Sequence, residues 1–207
     1  MNTASSERSR LRRRMLAQRR QLGSAQLRRA GRSAARLLWR QAEVQRATRI
    51  ALYLAQGGEL PCDTICRQAR ARGRRVYLPV LWRGELRFAP CVPGQRMRLN
   101  RYRIPEPRVP RAHLRRATEL DLILAPLVAC DDRGTRLGMG GGYYDRSLRA
   151  RGRLHRWRRP LLIGLAHEFQ RVATLPRRSW DIPLDALLTE ENFYRFAPPP
   201  NRARDAR

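Results

Sequence analysis

Ten consecutive residues, Arg136-Leu-Gly-Met-Gly-Gly-Gly-Tyr-Tyr-Asp145, bring together four glycines, two tyrosines, an arginine and an aspartate. Glycine accepts positive φ and lets a ligand approach the main chain, so Gly138, Gly140, Gly141 and Gly142 can turn successive N–H groups toward one anion. An apolar run at 122–128 precedes the stretch, and a segment at 143–151 able to form a helix follows it. A strand, a glycine loop and a helix N-terminus make a phosphate-binding arrangement. The glycines alone do not decide the matter, because neither the dinucleotide fingerprint nor the P-loop pattern is present, and a flexible surface loop has the same content. Their neighbours favour chemistry: Arg136 offers phosphate a forked donor, Asp145 is a hard oxygen ligand, and adjacent tyrosines are costly in a mere linker.

The rest of the chain must position that stretch. With 207 residues it can build one substantial core, and the expected organisation is one domain over 1–196 with a disordered tail at 197–207 that lacks an apolar face. The net charge of +28 would ordinarily indicate nucleic acid. Every basic residue is arginine, none is lysine, and they occur in every segment, which marks a chain-wide preference and not a selected patch. The expectation is therefore no specific nucleic acid, only non-specific affinity that fades with salt. Cys62, Cys66, Cys91 and Cys130 show no C-x-x-C pairing, so zinc is not expected. His113, His155 and His167 are scattered and read as surface or hydrogen-bonded side chains. Without an apolar leader or a run long enough to span a bilayer, the sequence points to a cytoplasmic protein with free thiols and no membrane partner.

Apolar residues at helical spacing over 7–46 predict two helices broken near Gly23, with Ser24 as the cap of the second. Arg8 and Arg12 lie one turn apart and share a face. The run 49–55 predicts a buried strand, Gln56-Gly57-Gly58 a turn, and Glu59 a carboxylate just past the strand end, where open α/β sheets hold ligands. It equally suits a carboxylate entering the next helix, which is expected at 61–72. Strands follow at 75–80, 86–90, 120–128, 160–166 and 186–189, while the Arg- and Pro-rich region 93–116 reads as loop. Strands alternating with helices imply an α/β fold of three layers, α/β/α, with a mainly parallel sheet and helices on both faces.

The glycine stretch resembles the signature of 5-formyltetrahydrofolate cyclo-ligases, also called 5,10-methenyltetrahydrofolate synthetases. Other pieces match that family in order: the basic N-terminal helix, Leu54 to Glu59, Ile104-Pro-Glu-Pro107, Leu124-Ala-Pro-Leu127, and Asp181 through Asp185 to Glu190. The resemblance implies an ATP- and Mg²⁺-dependent ring closure of 5-formyltetrahydrofolate, releasing ADP and phosphate, by a monomer whose partners are small molecules. It implies that Arg8, Arg12, Arg136, Leu137, Gly138, Met139, Gly140, Gly141, Gly142, Tyr143 and Tyr144 contact ATP. Arg8 stands where the family usually has lysine. It further implies that Leu54, Glu59 and the segment Met139, Gly140, Gly141, Gly142 and Tyr143 border the folate, and that Asp145 and Asp185 hold Mg²⁺. No catalytic side chain is expected, because the folate's own N10 is the nucleophile.

Overall fold

The computed structural model describes residues 3–150 and 160–197, without the side chains of 3–5. The end of the expected helix at Arg151, His155, and the tail beyond Ala197 lie outside these residues. The chain begins with three helices, α1 (Thr3–Arg20), α2 (Ser24–Leu38) and α3 (Ala42–Arg46). Two were expected; the second divides because the chain turns at 39–41. The cap of α2 also shifts by one residue, since the Gly23 N–H donates to the Gln26 side chain at 2.8 Å and Ser24 is already helical. The buried face of α2 consists of Ala30, Gly31, Ala34, Ala35 and Leu38, and small side chains allow close approach. A Cβ on Gly31 would sit 3.1 Å from the Pro61 carbonyl, so this contact requires glycine or a small retreat of the helix.

Next come β1 (Arg49–Ala51), α4 (Asp63–Ala71), β2 (Arg75–Trp82), β3 (Glu85–Pro90), β4 (Met97–Leu99), β5 (Pro105–Pro107), β6 (Leu122–Pro126), β7 (Ala129–Asp131), β8 (Arg136–Leu137), α5 (Tyr143–Leu148), β9 (Leu161–Leu165), β10 (Arg171–Val172), β11 (Ala186–Leu188) and β12 (Phe193–Arg195). Seven strands form the main sheet in the order β12-β11-β9-β6-β1-β2-β3. The five inner strands are parallel and the two edges antiparallel. Alternation along each strand sorts its side chains between two layers. Ile50, Leu52, Leu122, Leu124, Ile163 and Leu188 pack with α2, α3 and α4. Ala51, Ile123, Ala125, Leu162 and Leu187 face the other way, toward Leu148 of α5, Phe88 and Leu120. The three-layer α/β expectation holds: among the described residues one face is covered by α2, α3 and α4 and the other by α5 and connecting turns. No helix among the described residues is long and apolar enough to cross a membrane.

Two expectations change. The region 93–116 is not all loop: β4 and β5 form a hairpin, and Phe88 and Arg115 exchange both backbone hydrogen bonds at 2.9 and 2.8 Å. Glu106, only 3% exposed, pins the hairpin by accepting the Leu81 N–H at 2.8 Å and the Asn100 side-chain amide at 2.9 Å. In addition, the turn expected at 131–134 between β6 and the glycine stretch is flanked by two short strands that pair with each other. They make the hairpin β7–β8, whose turn is closed by Asp131 accepting the N–H groups of Arg133 and Thr135.

Candidate active site

β1 lies between β2 and β6, so successive connections leave it in opposite directions and the sheet has its topological switch point between β1 and β6. A crevice opens there at the carboxyl ends of the strands. Glu59 stands on this rim, on the turn that follows β1. Arg19, 3% exposed on α1, donates to the carbonyls of Gln56 at 2.8 Å and Gly57 at 3.1 Å, and lies 3.5 Å from the Glu59 carboxylate. Glu59 also accepts the Gln56 N–H at 3.0 Å. Burial raises its pKa, and Arg19 only partly offsets that. Gly58 has φ +78°, and a Cβ there would fall 2.3 Å from the Arg19 carbonyl oxygen, so α1 packs directly on the turn. Leu54 is half-buried against the adjoining core.

The glycine stretch divides into a buried start and an exposed loop. Leu137 is fully buried in β8, in a cluster with Met15, Val128, Ala129 and Leu175, so only its backbone faces any ligand. Arg136 is 5% exposed and its fork is directed inward, one nitrogen donating to the Ile182 carbonyl at 2.8 Å and another to Asp145 at 2.6 Å. The phosphate fork expected of Arg136 is therefore a tie between the loop and the segment around Ile182. Beyond it Gly138, Met139, Gly140, Gly141 and Gly142 form the open part, with Met139 64% exposed and Gly140 and Gly142 at φ +104° and +64°. Arg12 donates to the Gly138 carbonyl at 3.0 Å, and Arg146 to that of Gly141 at 2.8 Å. The helix that follows is short, so its N-terminal dipole contributes less than the sequence suggested.

The two tyrosines separate. Tyr144 turns inward beside Arg136, where burial and then the nearby Glu59 charge raise its hydroxyl pKa. The Tyr144 hydroxyl thus lies within electrostatic reach of the Glu59 carboxylate. Tyr143 turns toward the β4–β5 hairpin: its hydroxyl lies 2.8 Å from that of Tyr102 and accepts from Arg101, with the rings edge to face.

Arg8 donates to the Pro176 carbonyl at 2.5 Å and to Asp181 at 3.1 Å. Asp181 is 8% exposed and also accepts the Arg178 N–H at 2.9 Å. Burial, then the charges of Arg8 and Arg178, lower the pKa of Arg12. Arg12, which bonds the glycine loop, thus feels two further guanidinium charges, and an anion there would relieve the repulsion. Asp145 accepts the Ile182 N–H at 3.1 Å, which places Asp145 and Asp181 on either side of one short segment. Asp185 is elsewhere: its carboxylate accepts the Leu162 N–H at 2.8 Å, toward the amino end of β9. Asp145 thus engages the residue next to Asp181, while the Asp185 carboxylate engages β9. No group of three His, Cys, Asp or Glu side chains with metal-holding geometry occurs among the described residues. A one- or two-carboxylate site suits Mg²⁺, which completes its shell with phosphate and water.

Sequence reading missed Arg19, Arg178 and the role of Asp181. In a chain with basic residues everywhere, no local pattern distinguishes the arginines that converge. Asp181 carried a signal in the segment Trp180-Asp-Ile-Pro-Leu-Asp185, but the choice between its two aspartates needed the fold.

This chain and its fold have counterparts among known proteins. The model of the 5-formyltetrahydrofolate cyclo-ligase family matches residues 4–190. The 5-formyltetrahydrofolate cyclo-ligase of Escherichia coli is 37% identical over 181 residues, covering 86% of this chain and 97% of that protein. The enzyme of the same name from Haemophilus influenzae is 37% identical over 151 residues, covering 70% and 78%. The solved structure of 5,10-methenyltetrahydrofolate synthetase from Aquifex aeolicus superposes with a TM-score of 0.77 at 28% identity, covering 97% of this chain and 99% of that one. With the family model covering most of its length, the chain belongs to the 5-formyltetrahydrofolate cyclo-ligase family.

Proposed function

We propose that this chain is an ATP-consuming cyclo-ligase that closes 5-formyltetrahydrofolate to 5,10-methenyltetrahydrofolate, and that the crevice at the switch point holds both substrates. The observation that carries the two-substrate reading is the glycine loop itself. One end is bonded by Arg12, whose charge is felt by Arg8 and Arg178, and the other leads to Tyr144, within electrostatic reach of Glu59. The triphosphate belongs at the first end and the pterin at the second.

A formyl group on a ring nitrogen is an amide, and its oxygen is a poor leaving group. Transfer of the γ-phosphoryl group to that oxygen converts it into a phosphate ester. N10 of the folate then attacks the formyl carbon, its proton is lost, and phosphate leaves as the methenyl bridge forms. Both reacting groups come from the substrates, so the protein positions them and stabilises charge. Arg8, Arg12 and Arg178 neutralise the phosphates, and N–H groups of 138–142 complete the cradle. Glu59 accepts from the amino and N–H edge of the pterin, with Leu54, Met139 and Tyr143 bordering the ring. Mg²⁺ would be held by Asp145 with Asp181, not Asp185, and when bound it neutralises phosphate charge and orients the transferring group.

The test is direct. Purified protein with 5-formyltetrahydrofolate, ATP and Mg²⁺ should develop the ultraviolet absorbance of the methenyl product together with one ADP per turnover. Folded protein that forms no product overturns the assignment. ADP release without the absorbance change would mean that the phosphate half of the site works on another acceptor.

A further inference from the structure

We propose that His167, backed by Glu190, is a positioning residue that holds the pterin-side turn in shape and so aims Glu59. The proposal rests on the reading of Glu59 as the pterin ligand. His167 follows β9, is 2% exposed, and is stacked on Phe169 with ring centroids 5.5 Å apart and planes within 4°. Its Nε2 lies 3.0 Å from the Gly58 carbonyl oxygen. A carbonyl only accepts, so Nε2 carries the hydrogen and donates. Nδ1 faces the Glu190 carboxylate at 3.8 Å, and the same oxygen accepts the Glu168 N–H at 3.1 Å. Burial works against the charge on Glu190, but His167 and the backbone N–H groups that face the carboxylate together prevail and keep its pKa low. The imidazole is therefore set between an ionised carboxylate and a peptide carbonyl, with Phe169 fixing its plane.

The three carbonyls before Glu59 show what this contact does. Arg19 takes those of Gln56 and Gly57, and His167 takes that of Gly58. One clamp comes from α1 and the other from the end of β9, reaching past β6 to the end of β1. Gln170 secures the bridge on the way. Its side chain donates to the Leu127 and Val128 carbonyls at 3.1 and 2.8 Å and accepts the His167 N–H at 2.9 Å. Removing the imidazole leaves the Gly58 carbonyl without its donor, and the turn is then free to rotate Glu59 out of line.

The test compares His167→Leu, His167→Gln and Glu190→Gln in the full-length protein by steady-state kinetics and backbone amide exchange. His167→Leu should raise the KM for 5-formyltetrahydrofolate about 10-fold, the scale of one lost buried hydrogen bond, and leave the KM for ATP within about twofold. Exchange should quicken over 57–60. His167→Gln, whose side-chain amide can reach the same carbonyl, should recover folate KM to within about 3-fold of the parent, and Glu190→Gln should fall between them. An unchanged folate KM and unchanged exchange in His167→Leu overturn the proposal. Equal rises in both KM values, without recovery in His167→Gln, also overturn it by reducing the residue to general stability. Should His167→Leu not fold, the Glu190→Gln and His167→Gln comparison decides by the same readouts. A normal folate KM in Glu59→Gln would instead remove the pterin reading, while faster exchange over 57–60 in His167→Leu would still support the clamp.

Discussion

The turn at 56–59 and the loop at 138–143 are the two halves of the proposed site, yet they are held very differently. Each carbonyl from Gln56 to Gly58 is taken by a buried side chain, whereas in the loop the Gly138, Gly141 and Tyr143 carbonyls are met by the half-buried Arg12, the exposed Arg146 and Ser147, and Met139 is 64% exposed. The glycines differ in kind. Gly58 leaves no room for a Cβ, while Gly138 has no atom within 4 Å of one. A rigid, planar pterin is best met by a rigid acceptor, because selectivity for its edge depends on preorganised geometry. A triphosphate has many rotamers and carries its own charge, so an adaptable loop bonded by Arg12 can close around it.

Substitutions can break this contrast, beginning with the strongest. Gly58→Ala should lower stability by about 2 to 4 kcal/mol and all but abolish turnover, since both the positive φ and the contact with α1 oppose a side chain; a thermal melt and the absorbance assay report both. Arg12→Ala should raise the KM for ATP about 30-fold and leave folate KM within about twofold, reflecting one lost charge-assisted contact. Glu59→Gln should raise folate KM about 10-fold and spare ATP. Because burial raises the Glu59 pKa, the parent's folate KM should climb on acidification while pH is still above the ordinary glutamate range. The Gln variant should lose that limb of the pH profile.

Two weaker effects sharpen the boundary of the site. Asp121, at the amino ends of β1 and β6, accepts from Thr48 and Arg49; burial opposes its charge, but these bonds prevail and bring its pKa to about 2. Its contribution to stability is thus present above the unfolded value near about 4 and fades as pH falls toward the folded one. Asp121→Asn should therefore be less stable than the parent in urea at neutral pH, with the gap narrowing on acidification and both KM values unchanged. Gly138→Ala should be the mildest change, within about 0.5 kcal/mol of the parent. A collapse as severe as that of Gly58→Ala would mean the loop is as constrained as the turn.

The same contrast explains how much could be read from the residues. The inner strands were legible because each is a short apolar run, and Glu59 because it follows one. The β4–β5 hairpin was not: all three residues of β4 are exposed, so no apolar alternation marks it, and Glu106 pins it from a segment of prolines and arginines. The glycine loop announced itself through composition, but the inward direction of Arg136 depends on Ile182 and Asp145, which only the fold brings near it. His167 and Arg19 were illegible for a related reason. Each acts on backbone carbonyls remote in sequence, and a carbonyl leaves no trace in residue type.

Arg8, Arg12, Met15 and Arg19 lie on one stripe of α1, at intervals of four, three and four residues. That helix therefore works as a ruler, with about 16 Å between the α-carbons of Arg8 and Arg19. One residue inserted between Arg12 and Arg19 would rotate the phosphate-side arginines by about 100° relative to the folate-side clamp. Each half of the site would remain intact, and the two would no longer face the same crevice. The length of this segment is accordingly fixed more tightly than its composition: it can exchange residues on its outer face, but it cannot gain or lose one.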